Sequence, residues 1–234
     1  MNEYSTTSDL TNDMQALVKI EALDTVDYMG EAPFAEAFED ALREVAEVMR
    51  KAEGTDVEER METVKERTEK VSEAMAEIFD FQTISEWDNM SMEAREAKLS
   101  EYYTQLGEIL GINAKGVIIE DCIAMVGEGV AGYNTGDGYI HIDYRKVQDP
   151  EQLAELLITT THEARHQLQY EAQEDPSRFP WISIAVINEW EYNLRNYDDG
   201  SFGYEGYYKQ FVEADARIFA FEVLIGYAEI LGLK

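Results

Sequence analysis

Residues 161–170 read THEARHQLQY, and within them His162-Glu163-Ala164-Arg165-His166 has the form H-E-x-x-H. On a helix, residues four apart lie on one face, so His162 and His166 can present their imidazoles to a single ion. Glu163 then stands beside that ion, in reach of a water bound to it, which is why zinc peptidases use this spacing. The chain has only three histidines, and two of them occupy this pattern with a glutamate in the required slot. The alternative is an amphipathic helix that carries two histidines and no metal.

A catalytic tetrahedral zinc takes three protein ligands and leaves one position for water. The third is sought in FVEADARIFA, residues 211–220, where Glu213 is a carboxylate on an otherwise apolar helix. Ala216 and Ala220 share its face, small enough to let that helix approach the HEARH helix closely. Asp215 is the alternative ligand, and a surface acid without a ligand is the alternative reading of Glu213. His141 is read as a solvent-facing or satisfied strand residue rather than an additional ligand. In this mechanism Glu163 is the general base for a water made acidic by the metal. The oxyanion donor is sought among tyrosines: Tyr170, a turn beyond His166, and Tyr204, Tyr207 and Tyr208, just before the ligand helix. Tyr207 and Tyr208 are the chosen candidates, against simple packing in a chain with 14 tyrosines.

The elements that must position these residues are legible in part. Asp149-Pro150-Glu151 supplies an N-cap, a proline at N1 and an acid in the first turn, so a helix carrying HEARH is predicted to run to about Ala172. Before it, KGVIIED (115–121) and GYIHIDY (138–144) have the β-formers of strands, with Thr135-Gly136-Asp137-Gly138 as turn chemistry between strand-like runs. A small antiparallel sheet over 115–144 is expected, with GYIHIDY as the edge strand beside the HEARH helix, where an extended peptide can add by backbone pairing. Further helices are predicted from Ser91 to Gly111, from about Trp181 to Tyr197, and from about Gly206 to Leu231.

Upstream, Phe34, Phe38, Ala41, Val45, Val48 and Ala52, then Val57, Met61, Val64, Thr68, Val71, Met75 and Ile78, recur at alternating spacings of four and three. That is a coiled-coil-like seam. With Gly54 as a C′ residue and Thr55 and Glu58 as a capping box, residues 33–79 are expected to form an antiparallel helical hairpin. DFQTISEWDNMS (80–91) breaks the pattern and marks the boundary. The organisation is thus a polar leader (1–30), a helical hairpin (31–85) and a metal-binding domain (86–234), in a mostly helical α+β chain.

Composition narrows the partners. At 234 residues and a net charge of −30, the chain repels nucleic-acid backbones and anionic membrane surfaces. The acidity favours a cationic substrate or serves solubility alone. Cys122 is the only cysteine, which excludes an intramolecular disulfide and a Cys-rich zinc site. The N-terminal stretch has neither the basic nor the apolar region of a Sec signal, and no apolar run reaches the ~20 residues of a membrane span. A cytoplasmic location is expected, with export by a signal-less route left open.

The HEARH helix followed by the Glu-x-x-Ala-x-x-Phe-Ala pattern of residues 213–220 resembles the gluzincin-type metallopeptidases, especially the ImmA/IrrE-like family. The stretch from Trp87 onward also resembles small bacterial HExxH proteins of unassigned function, some fused to secreted toxins. The resemblance implies a zincin-like domain, with His162, His166 and Glu213 as zinc ligands and Glu163 as the base. Arg217 departs from the pattern: thermolysin-like enzymes carry Asp there and ImmA/IrrE-like proteins often Asn. This leaves Asp143, Asp215 or backbone carbonyls to orient the histidines. The expected function is a zinc metallopeptidase acting on a protein or peptide. The competing readings are a binding or regulatory module, with a structural or vestigial metal site and residues 33–79 engaging a helical partner, and a secreted effector.

Overall fold

The structure, a computed structural model, describes residues 57–127, 130–198 and 204–233, with side chains from residue 63 onward other than those of 204, 205 and 208. The polar leader and the first arm of the expected hairpin lie outside the described residues. The fold is α+β and mostly helical, with one three-stranded sheet.

The chain runs through α1 (Val57–Ile78), α2 (Phe81–Trp87) and α3 (Met92–Leu110) into β1 (Gly116–Glu120), α4 (Cys122–Val126), β2 (Gly132–Asn134) and β3 (Tyr139–Asp143). It continues through α5 (Tyr144–Gln148), α6 (Leu153–Glu174), α7 (Ile184–Arg195), α8 (Tyr204–Lys209) and α9 (Phe211–Ile230). The helix ends follow local chemistry. Ser91 caps α3 by accepting from the Ala94 N–H, and Gly111, with φ 78°, closes it in the left-handed conformation. Pro150 opens a short 3-10 turn, and α6 grows directly from it.

The sheet order is β1-β3-β2, with β2 antiparallel and β1 parallel to β3. The expected all-antiparallel sheet is therefore corrected to a mixed one. The turn at 135–138 sets the β2–β3 hairpin, but residues 121–138 are long enough to return β3 beside β1 in the same direction. GYIHIDY is corrected as well: it is the central strand, paired on both sides; β1 and β2 are the edges, and β2 is the edge that lies against the HEARH helix.

α6 and α9 pack along each other at the centre, with α1 against α9 and α3, and α3 against α6 and β1. Thr68, Val71, Met75 and Ile78 of the expected seam are buried in this packing. The apolar side of this arm is thus used within the chain. The seam continues through Phe79 and Trp87, both buried, into the same core as Tyr102, Trp190 and Tyr227, so the chain turn at 80–91 is not a break in the core. Ser72 donates to the Val223 carbonyl at 3.0 Å, and Tyr227 donates to the Phe79 carbonyl at 2.7 Å. A Cβ on Gly226 would stand 2.5 Å from Ser72 Oγ, so glycine there permits the close approach of α1 and α9.

The helix predicted over 206–231 is broken at Gln210, whose backbone is extended. Its side chain holds the bend, accepting from the Asp198 N–H at 2.8 Å and donating to the Asp198 carbonyl at 2.7 Å. Asn193 Oδ1 then accepts from the Phe211 N–H at 2.7 Å, capping α9 from a neighbouring helix. The break sets Glu213 in the first turn of α9, where the helix dipole favours a carboxylate.

Candidate metal centre

α6 and α9 bring His162, His166 and Glu213 together. His162 Nε2 and His166 Nε2 are 3.0 Å apart, and each lies 3.4 Å from a different oxygen of Glu213. Taking one ligand atom from each residue, all three lie within 4.8 Å of one another, and the separations of 3.0 and 3.4 Å are close to the roughly 3.3–3.4 Å between donor atoms of a tetrahedral zinc with bonds near 2.0–2.1 Å. Ala216 and Ala220 are fully buried, as the close helix approach requires. Glu213 Oε2 is buried with no hydrogen-bond partner among the described residues. That oxygen has His162 Nε2 at 3.4 Å and the Arg217 guanidinium at 3.6 Å, an ion pair without a hydrogen bond, so it keeps a lone pair for a metal ion. The donor set of two imidazoles and one carboxylate is one that zinc takes.

Electrostatics reinforce the grouping. Burial alone would raise the Glu213 carboxyl, but the two histidines overcome it and hold the group well below the usual carboxylate range. Burial alone would lower His166, but the charge and hydrogen bond of Glu213, with the charge of Glu163, hold it up at about 9. The proton held by this pair sits where a cation would, and a metal taken up there would have to displace it. A group raised from 6.5 contributes stability that is present in full below 6.5 and is lost as pH rises through the folded value. Metal-free protein should therefore lose on the order of 1–3 kcal/mol between pH 6.5 and 10, read by urea unfolding. A His166→Gln variant should lack that slope, and equal slopes would rule the pair out as its source.

Glu163 is buried, and its carboxyl is raised chiefly by burial, with the Glu213 charge adding to this and the histidines opposing it. It sits under β2. A Cβ on Gly132 would stand 2.7 Å from Thr159 Cγ2 and 2.7 Å from the His141 carbonyl, with Glu163 Cγ at 3.7 Å. Asn134 Nδ2 donates to the Glu163 carbonyl at 3.3 Å. The edge strand and the HEARH helix are thus in direct contact, and glycine is needed at their closest point. A Gly132→Ala variant should lose about 1–3 kcal/mol from this overpacking, measured by urea unfolding. An unchanged midpoint would show that the strand yields.

Of the tyrosine candidates, Tyr207 is brought to the site. Its hydroxyl is pushed up by burial and then by the charge and hydrogen bond of Glu213. Tyr208 has its side chain outside the described residues, as does Tyr204. Tyr170 packs against the turn at Gly136, whose φ is 79°. A residue missed from sequence, Tyr197, donates to Glu213 Oε1 at 2.7 Å and meets the Tyr207 ring edge-on. It lies beyond the end of α7, and no spacing rule links it to Glu213.

The other candidates have different partners. Asp215 is not with the triad: it pairs with Arg165 through Nε at 2.8 Å and Nη2 at 2.9 Å. Asp143 accepts from the N–H groups of Cys122 and Arg145. His141 Nδ1 lies 2.7 Å from Glu120 Oε1, and its ring stacks on Tyr133 at 4.4 Å. The contact that His166 makes through Nδ1 is to Gln169 Oε1 at 2.8 Å. Gln169 was missed, although its i+3 place after His166 on the same helix was a usable signal.

Comparison of the chain with protein-family models, curated proteins and solved structures gave no match.

Proposed function

We propose that the chain is a zinc-dependent metallopeptidase with a zincin-like catalytic domain of gluzincin type. The observation that carries the reading is the grouping of His162, His166 and Glu213: the two Nε2 atoms are 3.0 Å apart and each is 3.4 Å from an oxygen of the Glu213 carboxylate. Three protein donors leave a tetrahedral ion one open position, the mark of a catalytic rather than a structural zinc. A bound zinc supplies Lewis acidity and lowers the pKa of water at that position to about 7.

The chain's own residues supply the rest. Glu163, buried and raised in pKa, accepts the proton of the attacking water and returns it to the leaving amine. Tyr207 and Tyr197 hold hydroxyls beside Glu213, to which Tyr197 donates; an O–H that turned from this carboxylate to the substrate would donate to the developing oxyanion. β2 has no strand on its outer edge among the described residues and lies directly over Glu163, which favours an extended peptide paired along it.

The test is hydrolysis of a broad peptide library by protein carrying one zinc per chain. Cleavage should stop with a chelator and return with added zinc. Protein that takes up no zinc overturns the metal site. Zinc-loaded protein that cleaves nothing overturns the peptidase in favour of a metal-containing binding module.

A further inference from the structure

We infer that Gln169 is the positioning residue for His166, held in that role by an Arg165–Asp215 pair that forms an electrically neutral brace across the two ligand helices. This rests on the metal reading above. Gln169 Nε2 donates to Asp215 Oδ2 at 2.8 Å and to the Val212 carbonyl at 3.0 Å. Those two acceptors fix which end of the amide faces the ring: the oxygen, 2.8 Å from His166 Nδ1. An amide oxygen only accepts, so Nδ1 carries the proton and Nε2 is the nitrogen left to take an ion beside Glu213. Arg165 holds Asp215 from the other side with two hydrogen bonds.

Arg165, His166, Gln169 and Asp215 are all buried. Arg165, His166 and Gln169 belong to α6, and Val212 and Asp215 flank Glu213 on α9. The bonds that orient one ligand ring therefore also fix the helix that delivers the third ligand. The brace has a further chemical effect. Metal-ligating histidines commonly hand their second N–H to a carboxylate, a carbonyl or a water. Here the carboxylate stands one group away and Arg165 offsets its charge. A neutral partner makes the ring less basic, so an ion in this site keeps more of its positive charge than it would behind a direct Asp–His pair.

Zinc affinity, measured by competition with a chromophoric chelator, tests this in wild type, Gln169→Met and Gln169→Glu, beside the Tm of each metal-free form. Met fills the space and removes every hydrogen bond, so zinc affinity should fall about 10–100-fold. Glu keeps an acceptor for Nδ1–H, so zinc should bind at least as tightly as in wild type. Both variants should lower Tm, because both lose the bonds to Val212 and Asp215. Wild-type affinity in Gln169→Met, or affinity falling in step with Tm in both variants, overturns the inference and leaves the metal site standing. A wild type that binds no zinc overturns both. Zinc binding without peptide cleavage overturns only the peptidase.

Discussion

Glu163→Gln should bind one zinc per chain as wild type does and cleave peptides about 10²–10⁴-fold more slowly. The two halves of this result have separate causes. Glu163 is not among the residues whose donor atoms form the triad, so metal binding should not need it. Its carboxyl is buried under β2 and raised mainly by that burial, so the charged form is costly to hold. An amide of the same shape removes that cost together with the base. Metal-free Glu163→Gln should therefore be as stable as wild type or more so, a case of stability given up for activity. Metal content, peptide turnover and Tm of the same preparation check all three points. Wild-type turnover in this variant would remove Glu163 from the mechanism.

Asp215→Ala should cost about 3–5 kcal/mol of folding stability. Arg165 is buried between the rings of Trp190 and Phe219, with its carbon at 5.2 and 5.1 Å from their centroids. Asp215 is the carboxylate that takes its two hydrogen bonds, and Arg165 Nη1 has no hydrogen-bond partner among the described residues. Removing the carboxylate takes both hydrogen bonds from a buried guanidinium, leaves Glu222 as the acid whose charge reaches it, and frees the Gln169 amide. Replacing both members of the pair, with Arg165→Met and Asp215→Leu, should recover much of the loss, because no unpaired ion then remains. Urea unfolding of the single and double variants measures this. A single-variant loss below about 1 kcal/mol would show that water or another acid reaches Arg165.

What was legible in the sequence was local. Ser91, Gly111 and Asp149-Pro150 mark helix ends because a cap acts within one turn of chain. HEARH places two histidines on one face because the helix alone sets their spacing. Glu213 was within reach because a lone carboxylate among apolar residues and alanines is conspicuous, and the structure brings it to the histidines. The direction of β1 relative to β3 was not legible, since both directions satisfy the same alternation of side chains. Nor was the edge position of β2: three residues are too few for a pattern, and the longer GYIHIDY drew the assignment. The break at Gln210 depends on Asp198 and Asn193, groups from other elements that no window around residue 210 contains. Tyr197 was hidden for the same reason.

The way α1 lies on α9 limits how far this protein can be trimmed. The segment carrying the HEARH and Glu213 motifs should not fold on its own. Without residues 57–79, the α9 surface around Val223 and Tyr227 would lose the cover of Val71, Met75, Ile78 and Phe79. At about 1.5–3 kcal/mol for each large apolar side chain, the loss is on the order of 10 kcal/mol, comparable with the whole stability of a domain. A protease that cut within 80–91 and released the upstream helix would thereby loosen the helix that holds Glu213, without touching His162, His166 or Glu213 itself.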